Sequence, residues 1–269
     1  MSKRILRFGF HGFLNAQPLL HPLRRRSLQA GFEMVIDVPS VLAADLQAGR
    51  LDLAMVPSIE YLRADQEFRL LPPICIASQG DVLSVLLITK TPLAEVRSLA
   101  LDNRSRTSVA LLRILFGDRF HPEVGFYPVA PDVAGMLNNH DAALIIGDPA
   151  LGAAKYSRGM KVYDLSGEWF ARTGKTFVHA VIAVRPETII SAEIIDAVRE
   201  ARRGVPAEIS AIAKAHAEKY GVEMQVCEDY LRHRIRYDLG DEELDGLTCF
   251  RDLCHEHGLI SEKHPIRFI

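Results

Sequence analysis

The chain has 269 residues, 48% of them hydrophobic, and a formal net charge of −2 at pH 7. This length allows one large domain or two of ordinary size, with a substantial core. The near-neutral charge argues against a broad basic surface for nucleic acid, but an anion site can still be built locally. No apolar run reaches membrane-spanning length, and the run after Met1 is too short and interrupted for a signal peptide, so we expect a cytoplasmic protein.

The first part of the chain alternates predicted strands with predicted helices. Pro18 suits an early helical position, which places Asn15 near the start of the first helix. Strands and helices that alternate over short loops are typical of α/β folds with parallel pairing. The predicted strands are 4–10, 33–38 and 51–56, and the predicted helices are about 15–30, 39–49 and 59–64.

The same alternation continues to about residue 184, after which the pattern becomes helical. Strands are predicted at 70–78, 82–90, 99–101, 124–129, 142–146, 161–165 and 177–184. Between them lie predicted helices at 105–115, 133–137 and 166–172, the last capped by Ser166. After Pro186 the apolar spacing indicates helices at 192–203, 206–220, 225–236 and 242–257.

These patterns predict two α/β units and a helical last third. The last helices need a sheet to cover, and the simplest packing returns them to the first unit. We therefore predict lobe 1 at residues 1–89 and 182–269, with lobe 2 inserted at 90–181. Two short crossings of this kind form a hinge, and a ligand site is expected between the lobes.

The segment after the strand at 99–101 has the features of an anion site. Ser105 can cap the helix that follows, and Arg106, Thr107 and Ser108 then occupy its first turn. Backbone N–H groups at a helix start have no acceptor within the helix, so they attract anions. An arginine there opposes the helix dipole unless a carboxylate or phosphate lies in front of it. The alternative is an ordinary capped surface helix.

Further polar residues stand at predicted strand ends, where open α/β sheets bind ligands. They are mostly hydroxyls and amides, as a small polar anion requires: His11, Asn15, Ser40, Ser58, Ser78, Gln79, Gly147 and Asp148. Ser40, Ser58 and Asp148 can instead be plain helix caps. Ser84 and His179 lie inside apolar strands, where they can simply be satisfied core groups.

Several reaction classes lack their sequence signals. The chain has no Gly-x-Ser-x-Gly turn, no glycine-rich phosphate loop and no dinucleotide-binding fingerprint. The four cysteines, Cys75, Cys227, Cys249 and Cys254, lack the close paired spacing of zinc sites and are expected to be free thiols. We therefore expect neither a cofactor nor a metal.

Six stretches of the chain occur together in a recognisable order. They are 13–19 (FLNAQPL), 57–61 (PSIEY), 78–87 (SQGDVLSVLL), 105–112 (SRTSVALL), 144–151 (LIIGDPAL) and 163–174, with Tyr163-Asp164-Leu165, Trp169 and Thr173-Gly174. As a set they resemble the chorismate dehydratase family of the futalosine route to menaquinone, from about residue 4 to 185. Two departures are the His11-Gly12-Phe13 segment, where the family more often has Ser-Tyr, and Pro149, where it often has a second Asp.

The resemblance implies a two-lobed fold like that of type II periplasmic binding proteins, with the ligand cleft between the lobes. It implies a lyase that removes water from chorismate to give 3-[(1-carboxyvinyl)oxy]benzoate, as a monomer or homodimer, without cofactor, metal, nucleic acid or membrane. Asn15 and Ser84 are then the catalytic candidates. The substrate-binding candidates are Ser58, Gln79, Ser105, Arg106, Thr107, Ser108, Gly147, Asp148 and His179.

Three alternatives remain open. A non-catalytic binding protein for a small carboxylate shares the fold, although such proteins are normally exported. The sister enzyme that makes 1,4-dihydroxy-6-naphthoate also shares it, but the Leu14-Asn15 loop and the helix start at Ser105 favour the dehydratase. A ligand-sensing regulatory domain would normally carry a DNA-binding helix pair, and the basic residues here are too scattered for one.

Overall fold

A computed structural model describes residues 4–65, 67–153 and 156–269. The strands are β1 (Leu6–Phe10), β2 (Phe32–Ile36), β3 (Leu53–Pro57), β4 (Arg69–Ser78), β5 (Val85–Thr89), β6 (Ser98–Asp102), β7 (Gly125–Val129), β8 (Ala142–Ile146), β9 (Lys161–Asp164), β10 (Phe177–Val184) and β11 (Arg236–Asp238). The helices are α1 (Gln17–Ala30), α2 (Pro39–Gln47), α3 (Ser58–Leu62), α4 (Thr107–Phe116), α5 (Val133–Asn139), α6 (Asp148–Leu151), α7 (Leu165–Thr173), α8 (Ala192–Tyr220), α9 (Met224–Asp229) and α10 (Asp241–Glu256).

The strands form two mixed sheets, which confirms the predicted α/β class. The first has six strands in the order β11-β4-β10-β3-β1-β2, and the second has five in the order β7-β6-β8-β5-β9. In the first sheet β1 pairs in parallel with β2 and β3, whereas β10 runs antiparallel to β3 and β4. In the second, β6 is parallel to β7 and β8, and β5 is antiparallel to β8 and β9.

The two connections between the sheets lie earlier in the chain than predicted. The predicted boundaries assign β5 to lobe 1 and the larger part of β10 to lobe 2. Hydrogen bonding instead places β5 in the five-stranded sheet and all of β10 in the six-stranded one. We therefore propose that the chain crosses between lobes at residues 79–84 and 165–176.

Buried apolar residues join the two sheets. Every residue of β3 is buried, as expected for a strand covered on both faces. Trp169 on α7, Phe177 on β10 and Phe250 on α10 pack edge to face, with ring centroids 5.1–6.0 Å apart. This aromatic contact joins the second crossing to the last helix, so the helical third packs on the first sheet near the crossing.

The helical third departs from its predicted boundaries. α8 runs unbroken from Ala192 to Tyr220 with Pro206 inside it, where two helices are predicted. Its buried stripe continues through Val205 and Ile209, so packing on both sides of the proline outweighs one lost backbone hydrogen bond. The predicted helix at 225–236 is also wrong at its end, because α9 gives way to a π-helical turn and then to β11.

Two predicted caps are replaced by neighbouring residues. The N-cap of α7 is Asp164, whose carboxylate accepts hydrogen bonds from the backbone of Ser166 and Gly167. α4 begins at Thr107, and the Ser105 side chain makes no cap hydrogen bond. Over the ranges described, none of the helices combines the length and apolarity needed to cross a bilayer.

Candidate active site

A cleft of about 600 Å³, its open mouth included, lies between the two sheets. Its walls come from strand ends of both sheets and from the start of α4. The lining residues are His11, Phe13, Asn15, Pro39, Pro57, Ile76, Ser84, Val85, Arg104, Ser105, Arg106, Thr107, Ser108, Ile146, Gly147, His179 and Ala180. The mixture of apolar walls and a few convergent polar groups is typical of a small-molecule site.

Most of the predicted site residues meet at this cleft. Asn15 and Ser84, the two predicted catalytic residues, lie in its lining. So do six of the predicted substrate-binding residues, namely Ser105, Arg106, Thr107, Ser108, Gly147 and His179.

The other three predicted substrate-binding residues lie outside the lining and have protein partners. The hydroxyl of Ser58 donates to the carbonyl of Val178 at 2.6 Å. Exposed Gln79 accepts a hydrogen bond from Arg236 at 3.1 Å. A carboxylate oxygen of Asp148 accepts from the backbone N–H of Leu14 at 2.9 Å. Ser58 and Asp148 therefore hold backbone next to lining residues, whereas Gln79 bonds an exposed arginine.

The start of α4 offers the cleft unpaired donors. The N–H groups of its first turn have no intrahelical acceptor. The hydroxyl oxygen of Ser105, just before the helix, is buried and has no hydrogen-bond partner among the described residues. Thr107 is used structurally, because its Oγ1 accepts from the Ile59 backbone at 3.3 Å and donates to the His179 carbonyl at 3.4 Å. These two bonds fix the helix start against the first sheet.

Two arginines line the cleft, and they differ in how tightly they are paired with carboxylates. Arg104 donates to both carboxylate oxygens of buried Asp102, at 2.9 and 2.7 Å, and its guanidinium lies 5.2 Å from the Phe13 ring centre. The side chain of Arg106 is 47% exposed, and its Nε is 3.9 Å from Glu60.

Glu60 is itself bound by Arg63 through a pair of hydrogen bonds. Of the two arginines in the lining, Arg106 is therefore the more loosely paired. Its charge and the start of α4 act in the same direction, because both favour an anion.

Ser84 is held at the start of β5 by unusual backbone geometry. The preceding residue, Leu83, has φ +64°, a strained conformation for a bulky side chain. Asp164 stabilises it by accepting from the backbone N–H groups of Val82 and Leu83, at 2.9 and 2.6 Å. The Ser84 carbonyl accepts from the N–H of Gly147 at 2.8 Å, which continues the pairing of β5 with β8 by one residue.

Two histidines lie in the lining, and both are neutral at pH 7. Burial lowers the pKa of His11 and of His179 to about 4. His179 Nε2 shares a hydrogen bond of 2.7 Å with Ser78. His11 Nδ1 is buried without a partner in the described part of the chain. Over those same ranges, His, Cys, Asp and Glu do not gather in threes as a metal site requires.

Sequence reasoning missed several residues of the site. Arg104 stands two residues after Asp102 at a strand end, so its spacing carried a signal for a local ion pair. Phe13 had no sequence signal beyond its place in the loop before Asn15. Tyr230, which bonds Ser84 from outside the lining, is 146 residues away along the chain, and no local pattern connects them.

Comparison with known proteins agrees with the family resemblance found in the sequence. A family model described as menaquinone biosynthesis matches residues 6–256. A chorismate dehydratase of Thermus thermophilus is 32% identical over 265 residues, covering 91% of this chain and 93% of that protein. A chorismate dehydratase of Campylobacter jejuni is 26% identical over 252 residues, covering 92% and 96%.

Solved structures of proteins with lower sequence identity share the fold. A protein from Archaeoglobus fulgidus superposes with a TM-score of 0.76 at 17% identity, over 96% of this chain and 99% of that one. The periplasmic aliphatic sulphonate binding protein of Escherichia coli superposes with a TM-score of 0.65 at 19% identity, over 97% and 95%. These likenesses confirm the predicted periplasmic-binding-protein-like fold.

Proposed function

Because the chain belongs to the menaquinone-biosynthesis family, we propose that it is a lyase that dehydrates chorismate to 3-[(1-carboxyvinyl)oxy]benzoate. A proton leaves ring carbon C3, hydroxide leaves C4, and together they make the water that is lost. The ring becomes aromatic, which supplies the driving force. The protein therefore needs to bind the acid, orient it and manage protons.

The start of α4 carries the proposal. Chorismate has two carboxylates, and this helix start combines free N–H groups, the unpartnered Ser105 hydroxyl and Arg106. We place one carboxylate there. Charge-assisted hydrogen bonds of this kind are roughly twice as strong as neutral ones, so they can fix one end of the substrate.

The base for the C3 proton is proposed to be the substrate's own enolpyruvyl carboxylate. No Asp or Glu belongs to the described lining, and the two imidazoles there are weak bases because burial lowers their pKa to about 4. His11, with its free Nδ1, is the rival base. A His11→Asn variant that loses more than about 1,000-fold in kcat would favour His11, since a general base contributes roughly 10²–10⁴.

We propose that the enzyme works in the cytoplasm on this small-molecule substrate, as a monomer or a homodimer. The location follows from the proposed reaction, because a biosynthetic enzyme has to act where its substrate is supplied.

The test is to mix the purified protein with chorismate, with a chelator and without added cofactor, and to follow ultraviolet absorbance and mass. The proposal predicts an aromatic product one water lighter than chorismate, formed only with the protein. Chorismate that is unchanged but raises the melting temperature would contradict the proposal and favour a binding protein for small carboxylates.

A further inference from the structure

Tyr230 lies behind the cleft and bonds Ser84, one of the two predicted catalytic residues. It begins the π-helical turn Tyr230–Arg234 that follows α9, and its side chain is 1% exposed. Its hydroxyl donates to Ser84 Oγ at 2.9 Å. Two segments of the chain that are 146 residues apart thus meet at one buried phenol.

The direction of this hydrogen bond decides what Ser84 can offer the cleft. A phenol has one proton, and that of Tyr230 is used on Ser84. A serine hydroxyl can accept one hydrogen bond and donate another. Ser84, having accepted from Tyr230, keeps its own proton for the cleft, whose lining it joins.

We propose that Tyr230 is a positioning residue that makes Ser84 present a hydrogen-bond donor to the substrate. This inference rests on the proposed function and says which kind of substrate atom meets Ser84. The ionised carboxylates of chorismate only accept hydrogen bonds, so Ser84 donates to a substrate oxygen.

The arrangement also strengthens the Ser84 donor. Hydrogen bonds that run in one direction polarise one another, and the bond from Tyr230 to Ser84 runs in the same direction as the bond that Ser84 donates to the substrate. Tyr230 keeps its proton throughout, since burial raises the pKa of its phenol above the ordinary value. The strained backbone of Leu83 fixes Ser84 at one end of this hydrogen bond, and the π-helical turn fixes Tyr230 at the other. Such π-turns are frequent at functional sites.

The test compares Tyr230→Phe with the wild-type enzyme in steady-state dehydration of chorismate. We expect kcat to fall by about 10- to 100-fold, because small misplacements of catalytic groups have effects of this size. The KM should change less than about threefold, since the anion site at α4 is untouched. Tyr237→Phe is the matched control: that phenol is also buried, at 4% exposure, and its hydroxyl has no partner in the described chain, so kcat should stay at the wild-type value.

A double-mutant cycle with Ser84→Ala separates positioning from general destabilisation. If Tyr230 acts through Ser84, the double variant should lose little more than Ser84→Ala alone, whereas independent effects multiply. Tyr230→Phe with kcat within about twofold of wild type, or losses that multiply in the cycle, would overturn the inference and leave the proposed function intact. A wild-type protein that does not convert chorismate would overturn both.

Discussion

Arg106 and Arg104 are neighbours at the start of α4, yet only Arg106 is loosely paired. Arg104 is held by Asp102 in a two-bond ion pair, whereas Arg106 is 3.9 Å from its nearest carboxylate. We expect Arg106→Ala to raise the Kd for the product 3-[(1-carboxyvinyl)oxy]benzoate about tenfold, or ~1.4 kcal/mol, because one charge-assisted contact is lost. Isothermal titration measures this directly, since the product keeps both carboxylates and is not consumed.

Arg113→Ala is the control for that substitution. Arg113 is exposed on the same helix and stacks over Phe126 outside the cleft, so it removes the same charge without touching the lining. Equal weakening in both variants would mean that Arg106 acts only through net charge.

Asn15 is expected to matter for turnover more than for binding. Its side chain lies in the cleft lining with a buried, unpartnered oxygen, which suits a role at the reacting end of the substrate. We expect Asn15→Ala to lower kcat by roughly 100-fold, the scale for loss of one fixed catalytic hydrogen bond, with a Kd within about threefold of wild type. Near-normal turnover in this variant would show that the assigned role is wrong.

His11 should make the protein sensitive to acid. Its folded pKa of about 4 is below the value of about 6.5 in an unfolded chain, so below pH 6.5 the unfolded state binds more protons. Stability is then lost as pH falls from 6.5 towards 4, by about 2 kcal/mol at pH 5 for this group.

Urea unfolding at pH 7 and pH 5 measures that loss. His11→Phe removes the titration and suits the neighbouring rings of Phe10 and Phe13, so it should lose about 2 kcal/mol less than wild type between the two pH values. An equal loss of unfolding free energy in both proteins would show that another group causes the acid sensitivity.

At the scale of elements, α6 supports the turn that carries Asn15. Asp148 begins α6 in the second lobe, and its carboxylate accepts from Leu14 in the first, at 2.9 Å. Burial raises the pKa of Asp148, so the charge itself is unfavourable there while the hydrogen bond is favourable.

Two substitutions of Asp148 separate the bond from the charge. Asp148→Ala leaves a buried N–H unpaired and should lower the free energy of unfolding by about 1–3 kcal/mol and reduce kcat. Asp148→Asn keeps an acceptor oxygen and should restore most of both. Loss of chorismate affinity in both variants, with unchanged stability, would instead support direct substrate contact.

Elements with strong periodicity could be predicted from the sequence, and their ends could not. The buried strands β3, β4 and β10 stand within one or two residues of their predicted bounds. Ser166 and Asp164 both can cap a helix, and only the end of β9 at Asp164 decides between them. α8 runs through Pro206 because tertiary packing outweighs the tendency of proline to end a helix. A local sequence pattern does not contain that packing.

At the scale of the whole molecule, the site exists because two sheets bring distant segments together. The α4 segment and the Asn15 loop could be found locally, since strand ends and helix starts mark ligand sites in α/β folds. The contacts of Tyr230 with Ser84, and of Asp148 with Leu14, span 146 and 134 residues. Such pairings follow from the fold and carry no local signal.

A crystal structure of Asn15→Ala with chorismate tests the central claim most directly. The substrate should lie between the sheets, with one carboxylate within about 3.2 Å of the first-turn N–H groups of α4 and of the Arg106 guanidinium. The C4 hydroxyl should face the space left by the Asn15 side chain. Chorismate bound elsewhere, or with both carboxylates turned away from α4, would contradict the account.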